Sequence, residues 1–87
     1  MRYDIDARLC IDKESFYSYI QKSLDLPEYM GHNLDGLWDI LEDQEAMEIV
    51  IIHARYFLEN MDDYGRSILD LFGDLDAQTP HQILMRW

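Results

Sequence analysis

The amino-acid sequence predicts an α/β protein in which strands alternate with helices and pair in a parallel sheet. An alternating apolar segment opens the chain at residues 2–9, and a continuous apolar run occupies residues 47–53. Amphipathic segments with helical spacing lie between these two and before a third strand-like segment at residues 82–87. Strands that alternate with helices are typical of parallel sheets joined by right-handed crossovers.

The first strand and the helix after it are predicted from the N-terminal residues. Period-two alternation defines an apolar strand face that consists of Tyr3, Ile5, Ala7 and Leu9. We expect the strand to end before the alternation does, because Asp12 can cap a helix that begins at Lys13. The buried stripe predicted for that helix is Phe16, Ile20 and Leu24. Pro27 then ends the helical pattern, since proline lacks a backbone N–H.

A short second helix is predicted over residues 33–43. Asn33 is a favourable N-cap, and Gly31 marks the turn before it. Apolar side chains follow at positions i, i+3, i+4 and i+7, namely Leu34, Leu37, Trp38 and Leu41. With these facing the core, helical periodicity leaves four acidic residues on the other side: Asp35, Asp39, Glu42 and Asp43.

The second half of the chain is predicted to add a buried strand, two helical segments and a final strand. Residues 47–53 are apolar except for Glu48, which is typical of a strand buried on both faces of a parallel sheet. A helical turn is expected at 55–59, and Asp62 or Asp63 can cap a last helix. The inner side of that helix is Ile68, Leu69, Phe72 and Leu75. No repeat or linker interrupts the sequence, so residues 1–87 are predicted to form one domain.

The composition favours a folded protein and limits its function. Apolar residues make up 48% of the 87 residues, which is enough for a core despite a formal net charge of -11. No apolar run is long enough to span a membrane, and no apolar leader opens the chain. The single cysteine, Cys10, predicts neither a disulfide framework nor a cysteine-rich zinc site, which fits a cytoplasmic protein. Nucleic acid is disfavoured as a ligand, because its phosphates would be repelled.

Negative charge is concentrated where positive charge is absent. Neither residues 23–54 nor residues 67–85 contain a Lys or Arg, and the second stretch holds Asp70, Asp74 and Asp76. Solubility alone explains many acidic proteins, and the alternative is a surface for a cationic partner.

The second helix favours a binding surface, because its charges cost stability. Asp35 and Asp39 repel each other at one-turn spacing, and no basic residue on the helix offsets them. Glu42 and Asp43 lie near the C-terminus, where the helix dipole disfavours anions. Gly36 adds a propensity cost of about 1 kcal/mol relative to alanine. Residues that lower the stability of a helix tend to occur at functional sites, although such small losses of stability are also tolerated elsewhere.

Residues 26–39 closely resemble the signature of the barstar family. They read LPEYMGHNLDGLWD, and the family pattern is roughly L-P-x-Y-x-G-x-N-L-D-A-L-W-D. Phe16, the apolar strand at 49–52 and residues 67–72 are also similar, so the resemblance covers most of the chain. The sequence departs from the pattern at Gly36, where alanine is usual, and at His32, where an acidic or polar residue is common.

The resemblance implies a three-stranded parallel sheet packed with about three to four helices. It also implies that the protein inhibits guanyl-preferring bacterial ribonucleases of the barnase type. Some members of the family are immunity proteins against ribonuclease toxins. A protein of this kind is not an enzyme, and we expect it to need no cofactor or metal and to be a monomer when free.

The resemblance further implies which residues contact the ribonuclease. Asp39 matches the residue that occupies the phosphate site of the enzyme, and Asp35 matches a second acidic contact. Asp74 aligns with an acidic contact on the last helix, although glutamate is usual there. The complete predicted partner-binding set is Tyr29, Gly31, Asn33, Asp35, Trp38, Asp39, Glu42, Asp43 and Asp74.

Catalysis is a poor explanation of this sequence, and two other binding hypotheses remain open. The three histidines, His32, His53 and His81, are far apart in the chain, and Cys10 is expected in the core. No P-loop, nucleophile elbow or metal-ligand spacing is present. The acidic face could instead bind another basic protein, such as a nuclease toxin of a different class. The chain could also be an acidic protein without any enzyme target.

Overall fold

The sheet has three parallel strands, and their order across the sheet is β1-β2-β3. The computed structural model describes residues 1–28 and 30–87. The strands are β1 at Arg2–Asp6, β2 at Glu48–Ile52 and β3 at Gln82–Met85. The predicted α/β class with a three-stranded parallel sheet is confirmed.

Within the described residues, four α-helices connect the strands. They are α1 at Lys13–Ser23, α2 at Leu34–Asp43, α3 at Arg55–Met61 and α4 at Asp63–Gln78. The first two lie in the connection from β1 to β2, and the other two lie in the connection from β2 to β3. No helix in the described ranges is long and apolar enough to cross a lipid bilayer.

The central strand β2 is buried on both faces, as its continuous apolar sequence predicts. Ile49, Val50 and Ile51 are all buried, although their side chains alternate between the two faces of the sheet. The predicted stripe of α1 also reaches the core, where Phe16 and Ile20 are fully buried. Burial of each such side chain contributes roughly 1.5–3 kcal/mol relative to leaving it in water.

The first strand ends earlier than its alternation, and the prediction for Leu9 is wrong. After Asp6 the chain forms a 3₁₀ turn at Ala7–Leu9, in which an Asp6 carboxylate oxygen accepts a hydrogen bond from the backbone N–H of Arg8. The turn buries Ala7 and Cys10 and leaves Leu9 57% exposed. The early end was expected from the helix cap at Asp12, which accepts a hydrogen bond from the Ser15 N–H at 2.8 Å.

Helices α3 and α4 meet in a tight junction that the sequence does not reveal. Asp62 occupies the N-cap position of α4, one of the two positions predicted, but it has a positive φ of 49° and its side chain makes no capping hydrogen bond. A Cβ on Gly65 would lie only 1.8 Å from the Phe57 carbonyl oxygen, so only glycine fits this contact. Along α4, Leu71 is buried while Leu69 is only half-buried, which shifts the predicted inner face.

Candidate partner-binding site

The N-terminus of α2 is fixed by local chemistry that the sequence predicts. Asn33 is the N-cap, and its side-chain oxygen accepts a hydrogen bond from the Gly36 N–H at 2.6 Å. Gly36 also lets the preceding loop approach the helix, because a Cβ there would lie 2.9 Å from the Gly31 carbonyl oxygen. The departure from the usual alanine at this position therefore has a physical reason in the close contact between loop and helix.

The two faces of α2 are those predicted from helical periodicity. Leu37 and Leu41 are fully buried, while Leu34 and Trp38 are half-buried at the edge of the core. The opposite face carries four exposed acidic residues, Asp35, Asp39, Glu42 and Asp43. The helix therefore presents its carboxylates to solvent along its length.

The carboxylates of α2 have no cationic partner within the part of the chain that the structure describes. The ion pairs among the described residues join Arg2 to Asp4 at 3.3 Å and Arg8 to Asp6 at 2.9 Å. Both pairs lie in β1 or just after it, away from α2. No basic residue occupies the last turn of α2. The negative charge of this helix is consequently compensated only by solvent and its ions.

Helix α4 adds further acidic residues beside α2. A shallow groove of about 270 Å³ between the two helices is lined by Leu34, Asp35, Trp38, Ser67, Asp70, Leu71 and Asp74. Asp74 was expected at the site from the family resemblance, and the structure places it beside Asp35 and Trp38. Asp76, two residues later, does not line this groove and instead accepts a hydrogen bond from the Ile83 N–H of β3 at 2.9 Å.

Asp70 and Ser67 are groove residues that the sequence analysis did not include in the site. Asp70 lies one helical turn before Asp74, so periodicity alone places both on one side of α4. The sequence does not show that α2 is the helix that packs beside this side of α4. Trp38 has two roles in the structure, because it packs against the core and also lines the groove.

The loop before α2 is held against α1 by an aromatic contact. The exposed His32 ring stacks on the buried Tyr17 ring with centroids 5.6 Å apart and an interplanar angle of 13°. The Tyr17 hydroxyl in turn hydrogen-bonds the Tyr64 hydroxyl on α4. Gly31 and Asn33, which are both in the predicted partner-binding set, flank His32 and are exposed. The predicted contribution of Tyr29 lies outside the described residues.

The groups that could support catalysis are separated and engaged elsewhere. Cys10 is buried, and burial together with the nearby Asp6 charge raises the pKa of its thiol to about 12, so it is not a thiolate at neutral pH. His53 packs edge-on against Tyr56, whereas His81 is buried between backbone groups. Across residues 1–28 and 30–87, no group of three or more His, Cys, Asp or Glu side chains is arranged to hold a metal ion.

Comparison with known proteins adds two findings to this geometry. The family described as Barstar (barnase inhibitor) matches residues 1–85 of the chain. A protein of Bacillus subtilis (strain 168) named "Putative ribonuclease inhibitor YrdF" is 25% identical over 76 residues, which cover 85% of this chain and 84% of that protein.

Proposed function

The chain belongs to the barstar family, and from that premise we propose that it inhibits a barnase-type ribonuclease by placing α2 in the active site of the enzyme. The observation that carries this proposal is the row of four exposed carboxylates on α2 without a cationic partner in the described residues. The family and the relative named as a ribonuclease inhibitor support an inhibitory role.

Carboxylates on a helix suit the active site of a ribonuclease for an electrostatic reason. An enzyme that cleaves RNA must hold basic side chains where the substrate phosphates bind. Hydrogen bonds between those groups and carboxylates are charge-assisted, and pairs with arginine are frequently bidentate. A helix with carboxylates at one-turn spacing can therefore occupy sites that would otherwise hold successive phosphates.

Asp39 is the best candidate for the central contact. Its side chain is exposed and lies midway along the acidic face of α2, one turn after Asp35. The exposed loop at Gly31 and Asn33 lies at one end of this face, and Glu42 and Asp43 lie at the other. We propose that Asp39 meets the basic groups of the phosphate site and that the remaining predicted residues surround it.

Asp74 extends the acidic surface beyond α2 to a second helix. It shares the groove with Asp35 and Trp38, so an arginine or lysine of the enzyme that enters there would meet carboxylates from two helices. Trp38 lines the same groove, and an aromatic ring beside a cation adds a further favourable contact. A partner contact that spans two helices fixes the orientation of the enzyme as well as its affinity.

Acidic surfaces of this kind also accelerate association. Complementary fields raise association rate constants to about 10⁸–10⁹ M⁻¹s⁻¹ at low salt, against about 10⁵–10⁶ without steering. Fast capture suits an immunity protein that must neutralise a ribonuclease toxin inside the cell before RNA is cleaved. We therefore propose a monomeric, cytoplasmic immunity protein as the biological form.

The test is a titration of barnase activity against an RNA substrate, with matched charge variants. The wild-type chain is expected to inhibit at a stoichiometry near one to one. Asp39→Ala is expected to weaken inhibition by about 2–5 kcal/mol, or roughly 30- to 4,000-fold in Kd, a range to which complexes of this family themselves contributed. Asp4→Ala removes the same charge from β1, where Asp4 pairs with Arg2, and is expected to change the Kd less than about three-fold.

Two results would contradict the proposal. Absence of inhibition by the wild-type chain at micromolar concentration would exclude a barnase-type target. Equal affinities of Asp39→Ala and Asp4→Ala would exclude α2 as the inhibitory element, even if the wild-type chain inhibits.

A further inference from the structure

His81 is the buried polar side chain whose role the acidic surface does not explain. Its exposed fraction is 3%, and it is the one buried polar or charged residue in the described ranges. It lies between the end of α4 and the start of β3, next to Leu41 in the last turn of α2 and Met47 just before β2. A buried polar group needs hydrogen-bond partners, and His81 has one on each ring nitrogen.

The two ring nitrogens connect α2 to the sheet. Nδ1 accepts a hydrogen bond from the backbone N–H of Met47 at 3.0 Å, one residue before β2. Nε2 lies 2.5 Å from the carbonyl oxygen of Leu41 in the last turn of α2. Because Nδ1 accepts, the proton of the neutral imidazole is on Nε2, where it is donated to Leu41.

This contact matters because the C-terminus of α2 is poorly stabilised by its own sequence. The last carbonyl groups of a helix have no partners within it, and basic side chains that could serve them are absent from this turn. Glu42 and Asp43 add negative charge at the negative end of the helix dipole. Within α2 and its cap, Leu41 receives only the Gln44 N–H at 3.2 Å, so the His81 donor supplies a shorter second contact.

His81 is itself held by the end of α4. Its backbone N–H donates to the Thr79 hydroxyl oxygen at 3.2 Å, and that hydroxyl donates to the Leu75 carbonyl oxygen. The chain from Leu75 through Thr79 and His81 to Leu41 therefore joins the two helices whose carboxylates face the groove. Asp74 directly precedes Leu75, and Asp39 lies two residues before Leu41.

We propose that His81 is a positioning residue, which fixes the C-terminal half of α2, and with it Asp39, relative to α4 and the sheet. The effect on binding rests on the proposed inhibitory function, because it concerns which contacts with the ribonuclease depend on the His81 imidazole. Asp35 lies in the first turn, where Asn33 and the loop hold the helix, so its contact does not depend on His81.

The test is a double-mutant cycle measured as barnase affinity. The Asp39→Ala penalty in Kd is compared in the wild-type and His81→Ala backgrounds, and the Asp35→Ala penalty is compared in the same way. We expect the Asp39→Ala penalty to shrink by about five-fold or more, while the Asp35→Ala penalty changes by less than about two-fold. A general loss of folded protein would raise the apparent Kd of every variant by the same factor and leave both penalties unchanged. Unchanged penalties, or penalties that change equally, overturn the proposal.

Two conservative variants separate the ring nitrogens and remain informative if His81→Ala does not fold. In His81→Gln the side-chain amide reaches about as far as Nε2 and can donate to Leu41. In His81→Asn it reaches only as far as Nδ1 and can serve only Met47. We expect His81→Gln to keep the full Asp39→Ala penalty and His81→Asn to lose it. The reverse order, or no difference between them, overturns the assignment.

Amide hydrogen exchange on the unbound protein tests the same contact without a ribonuclease. In His81→Asn the amides at 41–44 are expected to exchange about ten-fold faster than in His81→Gln, while those of α1 are unchanged. Equal exchange in the two variants overturns the positioning role. If the wild-type chain failed to inhibit barnase, the proposed function would fall, and this measurement would still decide whether His81 holds the end of α2.

Discussion

Replacement of Gly36 by alanine tests how closely the loop before α2 packs on this helix. In an ordinary helix interior this change raises the free energy of unfolding by about 0.8–1.0 kcal/mol. Here the added Cβ would lie 2.9 Å from the Gly31 carbonyl oxygen and 3.2 Å from the Gly31 Cα. Non-bonded carbon atoms are ordinarily about 3.5–4.0 Å apart, so the loop must move by several tenths of an ångström.

The expected magnitude follows from two opposing contributions. Overpacking of this kind costs typically about 1–3 kcal/mol, which offsets the helix-propensity gain of about 1 kcal/mol. The free energy of unfolding of Gly36→Ala should therefore be between unchanged and about 2 kcal/mol lower than that of the wild type. Urea denaturation followed by tryptophan fluorescence measures it directly. Barnase affinity should fall as well, because the loop at 31–33 flanks the acidic face.

Gly73 provides the matched control, because it also lies inside a helix but has space beside it. A Cβ on Gly73 would meet no atom within 4 Å, so Gly73→Ala should gain about 0.5–1 kcal/mol of stability. If Gly36→Ala were stabilised as much as Gly73→Ala, the close contact between the loop and α2 would be refuted.

Three further predictions follow from other parts of the structure. The association rate of the wild-type chain with barnase should fall steeply between low salt and about 0.1 M, where the screening length is about 10 Å; a salt-independent rate in stopped-flow mixing contradicts steering. Gly65→Ala should lower the free energy of unfolding by about 3 kcal/mol or more or prevent folding, because its Cβ would overlap the Phe57 carbonyl group; a near-wild-type urea midpoint contradicts the close α3–α4 contact. The Ser15 backbone N–H, and then its hydroxyl, hold the pKa of the Asp12 carboxyl below its usual value. That contribution to stability is present near neutral pH and is lost as the pH falls through the carboxyl pKa, so Asp12→Asn should lose less stability on acidification than the wild type, and identical pH profiles contradict the capping role.

Features that depend on local chemistry were predictable from the sequence. The start of α1 at Asp12 and the start of α2 at Asn33 were both predicted, because a capping side chain binds a backbone N–H only three residues away. The buried centre of the sheet was predicted for a similar reason, since a continuous apolar run at 49–51 leaves no polar face for solvent.

Features that depend on how elements meet were not predictable in the same way. The alternating pattern extends to Leu9, but the strand ends at Asp6. The chain then forms a 3₁₀ turn in which the Asp6 side chain accepts a hydrogen bond from the Arg8 N–H, so Leu9 does not join the sheet. Asp62 is a suitable helix cap by residue type and lies at the N-cap position of α4, but in the tight junction between α3 and α4 it has a positive φ and its side chain does not cap. The order of the strands and the packing of α2 beside α4 also depend on tertiary structure, so the sequence alone did not predict them.

Most of the stability of α2 comes from contacts with the rest of the protein, because its exposed residues destabilise the helix. A helix with four carboxylates, no cation and a glycine in its first turn has little intrinsic stability. It is held instead by Leu37 and Leu41 in the core, by Asn33 at its start and by His81 at its end. Because these contacts lie on its inner side and at its two ends, the outer side is free to carry charges that would destabilise an isolated helix. Under the proposed function, a basic partner that removes their repulsion would recover that cost as binding energy, so the same residues would disfavour the helix alone and favour the complex.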